Sequence, residues 1–171
     1  FDNLSELHRI GLLKHELLHI SFGHLVMRDK FPNHKLFNIA ADLEINQYIL
    51  ESKLPEGGLL LSSFPELKLP TKAGTKVYYD LLLQAKEDGT CPSLDNLMNQ
   101  MNGESPYCHS TWEEFDELPE ADKKLMQKQI EHQLKETAEQ TEKKCGNIPG
   151  ELSDLIRRLL HIEPPKFDWK G

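Results

Sequence analysis

Residues 15–24 read HELLHISFGH. His15 and His19 stand four apart, with Glu16 beside the first of them. On a helix, positions four apart share one face, one turn from each other. Two imidazoles placed so can converge on one metal ion. A glutamate between them reaches toward the open side, where it can take a proton from water. This is the arrangement of zinc-dependent peptide hydrolysis, with His15 and His19 as ligands and Glu16 as general base. The competing account is a pair of core histidines satisfied by hydrogen bonds. In an apolar helix, three imidazole or carboxylate groups need partners, and a metal is the economical one for His15 and His19.

Such a site needs a third protein ligand and an open fourth position. His24 is nearest in sequence. In a metzincin a glycine breaks the helix and a third histidine follows, but here Gly23 and His24 are each displaced by one residue from that pattern. Leu13, Leu17, Ile20, His24 and Met27 step along one apolar stripe, so an unbroken helix to about Arg28 is expected, buried nearly all round. In it, His24 would point about 140° from His19, which makes it buried structure or a supporting group rather than a ligand. Asp42 is the better candidate. A second helix, roughly 34–51, returning antiparallel at ~1.5 Å per residue, brings Asp42 level with His19. Glu44 meets the same axial test. The apolar stripe Ile39, Leu43, Asn46, Leu50 separates the two: Asp42 lies roughly 70° from its centre, Glu44 roughly 130°, on the solvent side. Asn38 and Asn46 are placed to hydrogen-bond the site or simply to bridge the helices.

The elements that must hold these residues are mostly helices. Asn3 or Ser5 can cap the first, and Pro32-Asn33 opens the second. The stretch LPEGGLLLSSFPELKLP reads as loop, with a short strand at 59–62. Gly74-Thr75 starts a third helix that Gly89 ends, and Ser93 caps a short fourth. A polar loop carries PYCHSTWEEF. Pro119 starts a long Lys/Glu/Gln-rich helix closed by Gly146, which reads as a solvated element. Pro149-Gly150 starts a last helix through His161. His8, two turns before His15, lies about 10 Å from it along the axis, too far to be a ligand. His34, His132 and His161 sit at helix ends or on polar faces.

The 171 residues amount to one domain, 1–171, with a mainly α architecture. A net charge of −8 argues against a general nucleic-acid or membrane-surface binder, and no apolar run approaches transmembrane length. Cys91, Cys108 and Cys145 are odd in number and lack CxxC spacing, so reduced thiols and a cytoplasmic setting are expected.

HELLHISFGH, then NIAADLEIN, HSTWEEF and GNIPGELSDLIRRLL, in that order, resemble a family of bacterial and phage metallopeptidases. In many members the domain precedes a von Willebrand factor A-like domain. The resemblance spans most of the chain, and its first two motifs are the specific ones. It implies an α+β zincin-like fold, a Zn²⁺ site, a peptide or protein substrate, and Asp42 of the AAD motif as third ligand. Zincins carry a small sheet beside the motif helix. Little strand is legible here, so those strands are expected upstream of Phe1. In the implied mechanism a further donor steadies the oxyanion. His109, beside Trp112 in HSTW, is the best-placed candidate, with Tyr107 as the alternative and a surface histidine as the plain reading. The other function class is a zinc-containing binding or assembly module without turnover; an intact Glu16 speaks against it. No specificity pocket is legible.

Overall fold

Ser5 caps α1, Glu6–Ser21: its hydroxyl accepts the backbone N–H of His8. The computed structural model describes residues 4–100, Trp112 and 117–145. They fall in two compact units, Phe1–Leu118 and Pro119–Gly171. In the first, α1 is followed by the single turn α2 (His24–Met27), then α3 (His34–Asn46), α4 (Thr75–Asp88) and α5 (Pro92–Gln100). In the second, α6 runs over Glu120–Cys145. The described residues are mainly helical and contain no strand.

α3 is the centre of the first unit. Asn33 caps it by accepting the N–H of Leu36. From Ile39 to Asn46 every residue is buried. α4 packs along it most extensively, joining Phe37, Ile39 and Leu43 to Tyr78 and Leu82. Full burial of each such side chain contributes roughly 1.5–3 kcal/mol. α1 approaches α3 from another side and runs antiparallel to it. The register is plain from its contacts: His15 meets Asn46 and His19 meets Asp42.

α1 also crosses the 3-10 turn Glu51–Lys53 at Gly11. A Cβ there would lie 1.9 Å from the Lys53 carbonyl oxygen, so only glycine permits the approach. The long connection from α3 to α4 is pinned by Tyr78. Its hydroxyl accepts from Gln47 Nε2 (2.9 Å) and the Ala73 N–H (3.0 Å) and donates to the Pro70 carbonyl (2.6 Å).

Several expectations are corrected. The first helix does not reach Arg28. It ends at Ser21, and Gly23 takes the left-handed conformation at φ 70° before α2 begins. Nor is it buried all round: Leu13 and Leu17 are 60% and 55% exposed, and the buried side is Gly11, His15, Leu18 and His19. The second helix closes at Asn46, short of residue 51. Residues 59–62 give no strand but lead into a 3-10 turn, Leu61–Ser63, because Ser63 Oγ accepts the N–H of Leu60 and curls the chain. Ser93 lies inside α5 and its side chain donates instead to Glu66. Gly74 and Gly89 bound α4 as expected, Gly89 at φ 62°. The helix expected at 149–161 lies outside the described residues.

Candidate metal centre

His15 and His19 are both buried, one turn apart on the side of α1 that faces α3. Their Nε2 atoms are 3.0 Å apart. Asp42, on α3, places Oδ1 3.1 Å from His19 Nε2 and 3.6 Å from His15 Nε2. The three donor atoms form a small triangle. A tetrahedral metal site with donors at about 2.0–2.2 Å has ligand–ligand edges of about 3.3–3.6 Å. The observed edges lie within a few tenths of an ångström of that, so the three side chains fit a metal ion, and together they form a group that could hold one.

The imidazoles are held from behind. His15 Nδ1 lies 2.8 Å from Asn46 Oδ1, and Asn46 Nδ2 donates to the Leu59 carbonyl at 2.9 Å. That second bond fixes which end of the amide faces the ring, so His15 Nδ1–H is the donor and Nε2 is the atom turned toward the triangle. Of the two asparagines expected near the site, Asn46 makes this contact; Asn38 Oδ1 has no hydrogen-bond partner. His19 Nδ1 lies 2.8 Å from His24 Nδ1, and the Trp112 indole and the His19 ring meet in a T-shaped contact at a centroid distance of 4.8 Å. Burial pushes the His19 pKa down to about 3. Asp42 opposes the shift, and the neighbouring His24 and His15 add to it. His19 is therefore neutral near pH 7, the form that ligates metals.

His24 is where the geometry departs most from the helical expectation. It does not point away from His19. The left-handed Gly23 turns the chain, and His24 returns under His19, fully buried between Phe22 and Phe37. It contacts His19 rather than joining the donor triangle. Glu44 is also corrected. It is not on a solvent side, because α4 covers that side of α3. Glu44 accepts the backbone N–H of Thr75 at 2.7 Å and the Thr75 hydroxyl, and lies 3.5 Å from His24 Nε2. Burial works to raise its carboxyl pKa, but the bonds from His24 and Thr75 outweigh that and hold it below the usual range. Sequence reasoning passed over Thr75; its place at the start of α4 marked a helix boundary and nothing more.

Glu16 lies on the exposed side of α1, next to the buried His15. A carboxylate there stays in contact with water. His109 and Tyr107 lie outside the described residues, whereas their neighbour Trp112 is buried against His19.

The whole chain, residues 1–171, matches the model of a family described as "putative metallopeptidase domain". The chain belongs to this family. No curated protein and no solved structure matches it. Family membership implies a bound metal ion and a peptide substrate, and the His-His-Asp group is where this chain offers a place for the ion. Among the described residues no helix is long and apolar enough to cross a membrane.

Proposed function

We propose that this chain is a zinc-dependent peptidase in which His15, His19 and Asp42 hold the metal and Glu16 is the general base. The observation that carries the reading is the buried triangle of two imidazole nitrogens and one carboxylate oxygen, with edges of 3.0, 3.1 and 3.6 Å. Two neutral nitrogens and one oxygen suit zinc and leave a fourth position open. Bound there, zinc supplies Lewis acidity for the scissile carbonyl and lowers the pKa of water toward ~7. Glu16 takes the proton from the attacking water and returns it to the leaving amine, which needs a carboxylate in reach of solvent, as Glu16 is. Asn46 fixes the orientation of His15, and Trp112 backs His19. His109 is assigned the donor that steadies the oxyanion. The 1–171 segment acts as one peptidase domain, and a von Willebrand factor A-like domain is its proposed partner.

The test separates chemistry from metal binding. Glu16→Gln should keep one zinc per chain and lose at least ~10²-fold in the rate of peptide cleavage. His15→Ala and Asp42→Ala should lose the zinc itself. Full activity in Glu16→Gln overturns the mechanism, and full zinc occupancy in Asp42→Ala overturns the ligand set. His109→Ala should lower kcat by ~10²–10³ with zinc unchanged. An unchanged rate would make His109 a surface histidine, and zinc lost with the rate would make it a ligand.

A further inference from the structure

The geometry points to a one-directional hydrogen-bond relay, Glu44–Thr75–His24–His19, that fixes the tautomer of His19 and makes its Nε2 a metal donor. Glu44, Thr75 and His24 are then positioning residues for the centre. The inference rests on the metal-site reading above but is tested apart from it.

The direction follows from counting protons. Glu44 Oε2 receives both the backbone N–H and the hydroxyl of Thr75. A hydroxyl has one proton to give. With that proton on the Glu44 side, Thr75 Oγ1 can only accept from His24 Nε2, 3.0 Å away. His24 therefore carries N–H at Nε2. In the relay His24 carries a single N–H, at Nε2, and its Nδ1 is the acceptor. The atom facing it at 2.8 Å is His19 Nδ1, which must donate. What remains on His19 is a lone pair at Nε2, the atom beside His15 Nε2 and Asp42 Oδ1. His15 reaches the same state by the shorter route through Asn46 and the Leu59 carbonyl.

The relay ties the site to the fold. Glu44 on α3 caps the first N–H of α4, where a negative charge is favourable. It can hold Thr75 in place because α3 and α4 are the most extensively packed pair in the unit. Gly23 supplies the turn that brings His24 between Thr75 and His19. A plain structural account is also available: Glu44 caps α4 and His24 fills the core. That account predicts a stability change on mutation but no change in ring tautomers.

Long-range ¹H–¹⁵N correlation spectra of the histidine rings read the tautomers directly, on metal-free protein. Wild type should show N–H at Nδ1 of His15 and His19 and at Nε2 of His24. His24 found as the Nδ1–H form, or as a cation, overturns the relay without any variant. Glu44→Leu frees the Thr75 hydroxyl to donate to His24, which should reverse the chain and move the His19 proton to Nε2. Glu44→Gln keeps a carbonyl acceptor and should restore the wild-type pattern. Zinc affinity, read by competition with a chromophoric chelator, should fall ~10–100-fold in Glu44→Leu and recover in Glu44→Gln. Wild-type tautomers and affinity in a folded Glu44→Leu protein overturn the relay. Wild-type protein that shows the expected tautomers yet binds no zinc upholds the hydrogen-bond direction and overturns the metal reading beneath it.

Discussion

His15 shows how one buried imidazole is given a single job. Its Nδ1–H has an acceptor in Asn46 Oδ1, and Asn46 cannot flip because its amide nitrogen is committed to the Leu59 carbonyl. The outcome is an Nε2 aimed at Asp42 and His19. Asn46→Ala removes the orienting acceptor without touching the donor triangle. Zinc affinity should drop ~10–100-fold, the scale for losing a group that orients a ligand, while one zinc is still bound at saturation. Titration with a competing chelator checks this; unchanged affinity would mean that packing alone orients His15.

At the scale of elements, the decisive residue is Gly23. An apolar pattern continues through Leu25, Val26 and Met27, and it reads as more helix. Gly23 at φ 70° ends α1 all the same, and every residue after it is rotated relative to α1. No atom lies within 4 Å of a Cβ built at Gly23, so the cost of a side chain there is purely backbone. Gly23→Ala should destabilise by about 1–2 kcal/mol, and Gly23→Asn by less, because Asn tolerates the left-handed region. Equilibrium denaturation checks the order of the two. Ala as stable as Gly would mean that the α1–α2 turn can relax. Gly23 was legible as a helix stop. What hid it was the local apolar spacing, which does not record that one left-handed residue redirects a chain.

At the scale of the whole molecule, the first unit holds a buried polar cluster within an apolar core. His15, His19, His24, Asp42, Glu44 and Thr75 are all buried and come from α1 through α4. A cation that neutralises this cluster binds the folded chain and not the unfolded one. Removing zinc with a chelator should therefore lower Tm, and adding it back should restore Tm. At free zinc ~100-fold above Kd the stabilisation is about 2.7 kcal/mol, or about 5–10 °C for a chain of this size. A Tm that ignores both chelator and zinc would mean that the folded state has no preference for the metal.

The chain's own residues named the side chains that meet in the candidate site. His15, Glu16 and His19 declare themselves by spacing, since a helix places every fourth side chain on one face. Helix rise and an assumed antiparallel return admitted both Asp42 and Glu44, and the apolar stripe of the second helix singled out Asp42. The caps at Ser5, Asn33 and Gly89 are local. Tertiary structure alone decided the burial of Glu44, which depends on α4 lying across a face that a single helix leaves open. It alone joined Thr75, thirty-one residues later, to Glu44, and both to His24. It also left Leu13 and Leu17 exposed, because an apolar stripe states only that a face can be buried, and which faces find partners depends on the rest of the fold.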